Sequence, residues 1–448
     1  MTPCNKGAAP ARLLPRTFVL SHAAVPILLT LGCVLSISGL NQGRQWASVS
    51  EESGFQVNVA GLLSKWSWFS AQSTAPDLIV HEWGTFTSIA GSNGQAMDWL
   101  PLTASTELPA FVEHFREVQF KGGLRGTIRM ETPVLYFYSP RETNVSVNVS
   151  FARGLITEWY PRATSANPSL SSRDLSLYNT KTSGGISWNS VHIDPHGSTA
   201  FPTGNSEDRY FAARTTASAP LELETSTGPQ REKFLFYRGV AAFSLPLNAT
   251  LASDNTVQLQ NHFTEPIPNV ILFERRGARA GYSILGPLRN QASLAPVDLS
   301  SSVESLSSDL EGMLISQGLF ADEAHAMVET WKNSWFEEGS RLIYIVPRSF
   351  TDSVLPLRVA PAPATIIRVY VGRLELITPA TEQAVESAFA KNDRATLAQY
   401  SRFLEPILTT MLQKPHDGDR SRRLRTYLTN FHSMDQLNDK AERAADGP

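Results

Sequence analysis

The sequence predicts an α+β protein: an N-terminal antiparallel β-sandwich, then a mixed helical and strand region, with one N-terminal apolar helix before both. Apolar side chains alternate strictly over residues 144–151, which is typical of a half-buried strand. An apolar face at helical spacing over 324–335 indicates an amphipathic helix. The segment Thr17–Leu40 carries no acidic or basic side chain other than His22, so it predicts the leading apolar helix.

Composition limits the functional classes. The chain has 448 residues, of which 42% are hydrophobic and 18% are charged, and this balance supports a sizeable core. Its net charge is −3, so it lacks the basic field that holds a phosphate backbone, and we expect no nucleic-acid partner. Cys4 and Cys33 are the only cysteines. The rest of the chain therefore has no disulfide, thiolate nucleophile or Cys-ligated metal.

The N-terminal segment predicts export. Lys6, Arg12 and Arg16 precede the apolar residues 17–40, so the positive flank should stay in the cytoplasm and the body should lie outside. The length suits a membrane-spanning helix, whereas the basic start and small residues near its end also suit a signal peptide. Both alternatives predict a membrane contact through residues 17–40 and a membrane-anchored, periplasmic or secreted protein.

The chain divides into five predicted parts. These are a signal peptide or membrane anchor (1–40), a linker (41–76), a β-sandwich domain (77–300), a helical and strand domain packed on the sandwich (301–412) and a charged tail (413–448). Within the sandwich, alternation and apolar runs predict strands at 127–138, 144–151, 154–161, 186–193, 233–245, 257–263, 270–275 and 281–285.

Helix signals dominate the region after residue 301. We expect a helix over 303–318 and a second one that Asp322 caps and Gly339 ends. Thr378-Pro379 predicts the start of another helix, since proline is favoured at the first helical position. Asp393 is expected to cap a helix that runs toward Leu412. Strands at 342–346 and 366–377 lie between these helices.

The known catalytic signatures of metalloproteases, serine hydrolases, β-lactamases, P-loop proteins and dinucleotide-binding proteins are absent from the sequence. The remaining candidates are ionisable residues inside apolar strands. A carboxylate buried there must be paired, protonated or metal-bound, because desolvation of an isolated charge costs several kcal/mol. These candidates are His81, Glu82, Arg129, Glu131 and Glu158.

Two interpretations of these residues stay open. In the first, His81, Glu82, Glu131, Glu158 and His192 converge on one site. That site would bind Zn²⁺ or Ca²⁺, or would supply an acid and a base for hydrolysis. In the second, Glu82, Glu131 and Glu158 form buried ion pairs with arginines. The arginines on or beside the same strands are Arg129, Arg153 and Arg238.

Aromatic residues on the same strands give a further candidate. Trp83, Trp159 and Tyr160, with Arg129 nearby, can form a platform for a sugar or peptide, or they can fill the sandwich core. The sequence alone leaves both alternatives open.

The segment His81-Glu-Trp-Gly-Thr-Phe-Thr87 resembles a group of uncharacterised bacterial proteins that share an H-E-W-G-T-F-T segment. The likeness continues through residues 129–137, 156–161, 233–239, 335–339, 371–375 and 402–406. The resemblance implies one extended module and a bacterial source. It implies no reaction and no site residue.

The sequence therefore predicts an exported cell-envelope protein. The first functional hypothesis is a non-catalytic binding or structural module for a glycan, a peptide or a protein partner. The alternative is a metal-assisted hydrolase that uses His81 and the strand-borne glutamates. Whether the protein is an enzyme is left open at this point.

Overall fold

In the computed structural model, more of the described residues lie in strands than in helices. The structure describes residues 74–102, 108–115, 124–167, 177, 182–204, 209–415 and 417–430. The chain divides into units 1–67 and 68–448, and every described residue belongs to the second. The predicted apolar helix 17–40 and the tail beyond residue 430 lie outside the described residues. The predicted α+β class is confirmed.

The described strands are numbered in chain order. They are β1 (Thr74–Ile89), β2 (Glu113–His114), β3 (Ile128–Tyr138), β4 (Thr143–Ala152), β5 (Gly154–Tyr160), β6 (Ser165–Ala166), β7 (Ser183–Ile193), β8 (Leu221–Thr225), β9 (Gly228–Glu232), β10 (Leu235–Ala241), β11 (Leu247–Leu251), β12 (Val257–Asn261), β13 (Val270–Arg276), β14 (Arg279–Leu285), β15 (Gln291–Leu294), β16 (Gly339–Val346), β17 (Leu357–Ala360) and β18 (Ala362–Leu376). The strands predicted from alternation and apolar runs all occur, with ends that differ by a few residues.

Three sheets are built from these strands. The largest has nine strands in the order β14-β13-β16-β18-β1-β3-β10-β5-β2. A second sheet contains β17-β4-β7-β8-β9 with β6 paired to β7, and a third contains β11-β12-β15. Strands from both sides of residue 300 therefore share the nine-stranded sheet.

One strand pair departs from the predicted antiparallel arrangement. The two central strands β1 and β18 are parallel, whereas the other ladders are antiparallel. A parallel pair needs a long crossover connection, and nearly 300 residues separate the start of β1 from that of β18. Alternation within a strand does not reveal such a pairing.

The two faces of the nine-stranded sheet have different neighbours. One face shares a hydrophobic core with the two smaller sheets, which contribute residues such as Val147, Trp188 and Leu259. The opposite face packs on two helices through residues such as Trp83, Met327 and Trp331. We call this second side the helix-facing side.

Six helices with defined caps lie after β15, where they precede, separate and follow the last three strands. They are α1 (Val303–Ser316), α2 (Ala321–Trp335), α3 (Arg348–Val354), α4 (Pro379–Lys391), α5 (Arg394–Gln399) and α6 (Leu404–Gln413), with 3-10 turns at Arg209–Arg214 and Ser401–Phe403. A further helix spans 418–430.

The helix termini correct some predictions. Phe320 rather than Asp322 is the N-cap of α2, and its backbone N–H donates to the Glu323 carboxylate at 2.8 Å. The helix ends at Trp335, and Gly339 instead begins β16 with a φ of 114°. Thr378 and Asp393 cap α4 and α5 as predicted.

The predicted helix from Asp393 to Leu412 is broken into α5, a 3-10 turn and α6. The break lets Tyr400 and Phe403 enter the third hydrophobic cluster, which α4 and α6 share with Trp99. Part of the predicted charged tail is also helical. Its Leu424 is fully buried in the same cluster, so tertiary packing orders residues 418–430.

Candidate functional site

The segment H-E-W-G lies in the central strand β1, and successive side chains point to opposite faces of the sheet. His81 and Trp83 lie on the helix-facing side, whereas Glu82 faces the core between the sheets. His81 and Glu82 therefore cannot act on the same ligand, and the predicted site that contains both does not form.

His81 is held by a glutamate that the sequence analysis did not single out. Its Nδ1 lies 2.7 Å from Oε2 of Glu323 in α2, and the two side chains are 3% and 0% exposed. The Glu323 carboxylate also accepts from the Tyr138 hydroxyl at 2.8 Å. The His81 ring packs against Phe320 at a centroid distance of 4.5 Å. These contacts join β1 and β3 to the start of α2.

Glu82 is the centre of a second buried cluster. Its carboxylate accepts from Nε of Arg368 at 2.6 Å and from the Tyr237 hydroxyl at 2.5 Å. Arg368 also donates to Asp352 at 2.7 Å. Burial raises the pKa of Tyr237, and the Glu82 charge raises it further, so this hydroxyl remains a donor. Glu82 thus has an arginine partner and a hydroxyl donor in the core.

Gly84, the last residue of the H-E-W-G segment, lies where a side chain would clash with its neighbours. A Cβ atom at this position would lie 2.7 Å from the Tyr370 ring and 3.2 Å from Cα of Pro133. Phe86 then stacks on the same Tyr370 ring at 4.9 Å. The side chains of His81, Glu82 and Phe86 and the small size of Gly84 therefore all serve the packing of a central strand.

Opposite Gly84, the strand β3 contains a bulge. Pro133 has no N–H for the ladder, and the registers of both neighbouring strands shift at this point. Thr132 has a φ of 47°, which is unusual for a β-branched residue and costs about 1–3 kcal/mol. Its hydroxyl accepts from the Arg238 guanidinium at 3.3 and 3.4 Å, and this contact stabilises the bulge.

Glu131, just before the bulge, lies in the middle of a group of charged residues on the helix-facing side. We call this group the charged band. Its members are Arg129, Glu131, Glu158, Arg238, Glu337, Arg341, Arg373, Glu375 and Arg402. Glu131 forms an ion pair with Arg402.

The charged band keeps Glu131 ionised. Burial raises the pKa of Glu131, but the positive charges around it outweigh this effect and lower the pKa from 4.5 to about 2. These charges belong, in order of effect, to Arg402, Arg238, Arg129 and Arg373. A carboxylate in this state is a poor general acid or base near neutral pH.

Glu158 is paired in the same way. Nη2 of Arg129 donates to both carboxylate oxygens at 2.9 and 3.0 Å. A register shift leaves Thr157 as an extra residue of β5, and its hydroxyl donates to Glu158 at 2.5 Å. Burial raises the pKa of Glu158, but Arg129 and Arg238 lower it, and the net shift is downward.

The band continues across β18 and β16. Glu375 accepts from Nε of Arg341 at 2.9 Å and from Nη2 of Arg373 at 3.0 Å. Arg373 also donates to Glu337 at 2.5 Å and to Ser334 at 2.7 Å. These bonds attach the end of α2 to the sheet.

The segments that carry the sequence resemblance supply most of the band. The segments 129–137, 156–161, 233–239, 335–339, 371–375 and 402–406 contribute eight of its nine members, all except Arg341. The fold thus brings segments that are far apart in sequence into one group of charged residues. The sequence indicated Arg129 as a partner but not Arg368 or Arg402, because nothing local indicates a pairing over more than 250 residues.

The remaining predicted residues lie elsewhere. His192 is half-buried at the six-stranded sheet, 3.2 Å from Asn144 and 3.8 Å from Glu142. Trp83 and Tyr160 are buried in the helix-facing core, and Trp159 packs against the other core. The three aromatic residues therefore form no common exposed platform. Among the described ranges, no three His, Cys, Asp or Glu side chains are grouped so that they could hold a metal ion.

No protein-family model and no curated protein matches the chain. Among solved structures, it is similar to the yeast delta-COP-I mu-homology domain complexed with a Dsl1 WxWxV peptide, at 9% identity and a TM-score of 0.24. The match covers 67% of this chain and 96% of that domain, and at this TM-score it supports no argument. Within the described part of the chain, no helix has the length and apolarity to cross a membrane.

Proposed function

We propose that the protein is an exported cell-envelope module that binds or organises a partner without chemical catalysis. One observation supports this proposal most directly: each glutamate of the candidate site forms an ion pair with an arginine. Glu82 pairs with Arg368, Glu131 with Arg402 and Glu158 with Arg129. In this arrangement the carboxylates stabilise the fold and are unsuited to act as an acid, a base or a metal ligand.

The geometry gives the hydrolase alternative little support. That alternative needs His81 and Glu82 on one ligand, yet they face opposite sides of the sheet. It also needs a glutamate with a raised or ordinary pKa, whereas the pKa values of Glu131 and Glu158 are lowered. The His81 ring is held by Glu323, which is itself saturated by donors from Tyr138 and Phe320.

Elemental analysis of the full-length protein, purified without chelators, tests the non-catalytic proposal. We expect substoichiometric zinc and calcium in the native protein and in the variants His81→Ala and Glu82→Gln. One equivalent of metal in the native protein, lost from either variant, would refute the proposal. His192→Ala is the matched control, because this histidine lies outside both buried clusters.

Fractionation tests export separately. We expect a C-terminally tagged chain in the membrane or periplasmic fraction, and a variant that lacks residues 17–40 in the cytosol. The expectation rests on the apolar segment and its basic flank. Full-length protein recovered entirely from the cytosol would contradict it.

A further inference from the structure

The outer face of the three-stranded sheet carries a regular array of uncharged polar side chains. Each strand of this sheet alternates, so that residues such as Leu247, Ala249 and Leu259 enter the core and the residues between them face outward. The outward residues are Asn248, Thr250, Gln258, Gln260, Gln291 and Ser293. None of them is charged.

The strand register arranges the array in two rows. Asn248 lies opposite Gln260, and Gln260 lies opposite Gln291. Thr250 lies opposite Gln258, and Gln258 lies opposite Ser293. Neighbouring strands are about 4.8 Å apart and successive outward residues about 7 Å apart, so the array offers a grid of hydrogen-bonding groups.

A turn from the region after β1 forms a wall beside this grid. Gly94 has a φ of 81°, and its carbonyl oxygen accepts from the Ala249 N–H at 3.3 Å. A Cβ atom at Gly94 would lie 2.8 Å from the Thr250 methyl group, so the turn is packed tightly against the sheet. With Asn93, this wall encloses a groove of about 370 Å³, a volume within the range of small-molecule sites.

Several side chains that line the groove have donors and acceptors that are not used within the protein. A side-chain amide offers two donors and a carbonyl acceptor, and a hydroxyl offers both roles. Ser293 donates to Gln258 at 2.6 Å, whereas the side chains of Asn248, Gln260 and Gln291 make no hydrogen bond with the described protein. An exposed face that serves only solubility is normally rich in charge. A lining of free amides instead suits a ligand that has many hydroxyl groups and no charge.

We infer that this groove binds a neutral oligosaccharide. The sugar hydroxyls would donate to and accept from the amides of Asn248, Gln260 and Gln291, and the absence of charge in the lining matches the absence of charge in the ligand. The inward residues of the sheet lie in the core, so the backbone positions that carry these side chains are fixed before binding. This inference rests on the proposed non-catalytic binding function and names its ligand class.

Calorimetry on the full-length protein in phospholipid nanodiscs tests the inference, since sugar-headed detergents would compete. The probes are cellohexaose, chitohexaose and maltohexaose, with polygalacturonate oligomers as an acidic comparison. We expect at least one neutral probe to bind. The double variant Asn248→Ala/Gln260→Ala should weaken that binding at least about tenfold, since each lost hydrogen bond costs about a factor of five.

Asn148→Ala is the matched control, because Asn148 is also an outward-facing asparagine on a strand but lies on β4, in the six-stranded sheet. It should leave the binding within about twofold, since it removes no groove contact. Circular dichroism checks that both variants fold.

Four outcomes overturn the inference: no neutral probe binds, only the acidic probe binds, the double variant binds as the native protein does, or the control weakens binding equally. Chromatography of the incubated sugar separates this from failure of the proposed function. If the sugar stays intact but binds elsewhere, only the proposed groove site is refuted. If the sugar is cleaved, the proposed non-catalytic function is refuted.

Discussion

The charged band and the groove on the three-stranded sheet are both polar, but they differ in burial and in charge. In the band, buried side chains such as Glu131, Glu158 and Arg373 are paired, because an unpaired charge there would be costly. In the groove, exposed amides such as Gln260 keep their hydrogen-bonding groups available. The comparison teaches that the buried, paired charges of the band serve the fold, and that the exposed amide surface is the better candidate for recognition.

The largest effect should come from breaking a buried pair. Glu82→Ala leaves Arg368 buried without its main partner, so we expect a loss of about 3–5 kcal/mol in the free energy of unfolding, measured by urea titration. Glu222→Ala removes a glutamate that forms a half-exposed pair with Arg231, and should cost less than about 1 kcal/mol. Equal losses in the two variants would show that burial does not set the energy of these pairs.

The pH dependence of the band should be the next largest effect. The pKa of Glu131 is about 2 in the folded protein and near 4.5 when unfolded, so its stabilisation is complete above pH 4.5 and is lost as the pH falls toward 2. At pH 7 we expect the free energy of unfolding of the native protein to be about 3 kcal/mol larger than that of Glu131→Gln. This difference should shrink as the pH falls from 5 to 2. A difference that stays constant over this range would contradict the assignment.

The His81–Glu323 contact should contribute less. His81→Ala removes one hydrogen bond to a buried carboxylate, for which we expect a loss of about 2–3 kcal/mol in unfolding free energy. His81→Asn should recover part of this loss, because its amide can donate from a position near Nδ1. His192→Ala, on the sheet surface, should change stability by less than about 0.5 kcal/mol. If His81→Asn is no better than alanine, the hydrogen bond is not what holds this site.

The smallest effect on stability should come from the groove. Asn248→Ala/Gln260→Ala removes outward side chains that support no packing. The free energy of unfolding, measured by thermal denaturation, should therefore change by less than about 0.5 kcal/mol per site. A marked loss of stability would mean that the array is structural, and the contrast with the charged band would then disappear.

Local patterns predicted much of the fold. Alternation in residues 144–151 placed β4, and the helical periodicity placed α2, because each pattern reflects a single element with one buried face. The caps at Thr378 and Asp393 were also predictable, since the capping hydrogen bond reaches only three residues along the chain.

The candidate site was less predictable. The sequence indicated that Glu82, Glu131 and Glu158 lie in buried strands and offered Arg129 as a partner. It did not indicate that Glu82 pairs with Arg368 or Glu131 with Arg402. Two of these pairs join residues more than 250 positions apart. The parallel pairing of β1 with β18 brings Arg368 beside Glu82, and that pairing has no local signature.

By itself, the sequence determined which segments are strands and helices and which ionisable residues are buried, because periodicity and capping act over a few neighbouring residues. Only the tertiary structure decided which charges meet, on which face of the sheet His81 and Glu82 lie, and which polar side chains stay free. Sheet order and strand register decide these matters, and both depend on contacts between distant parts of the chain.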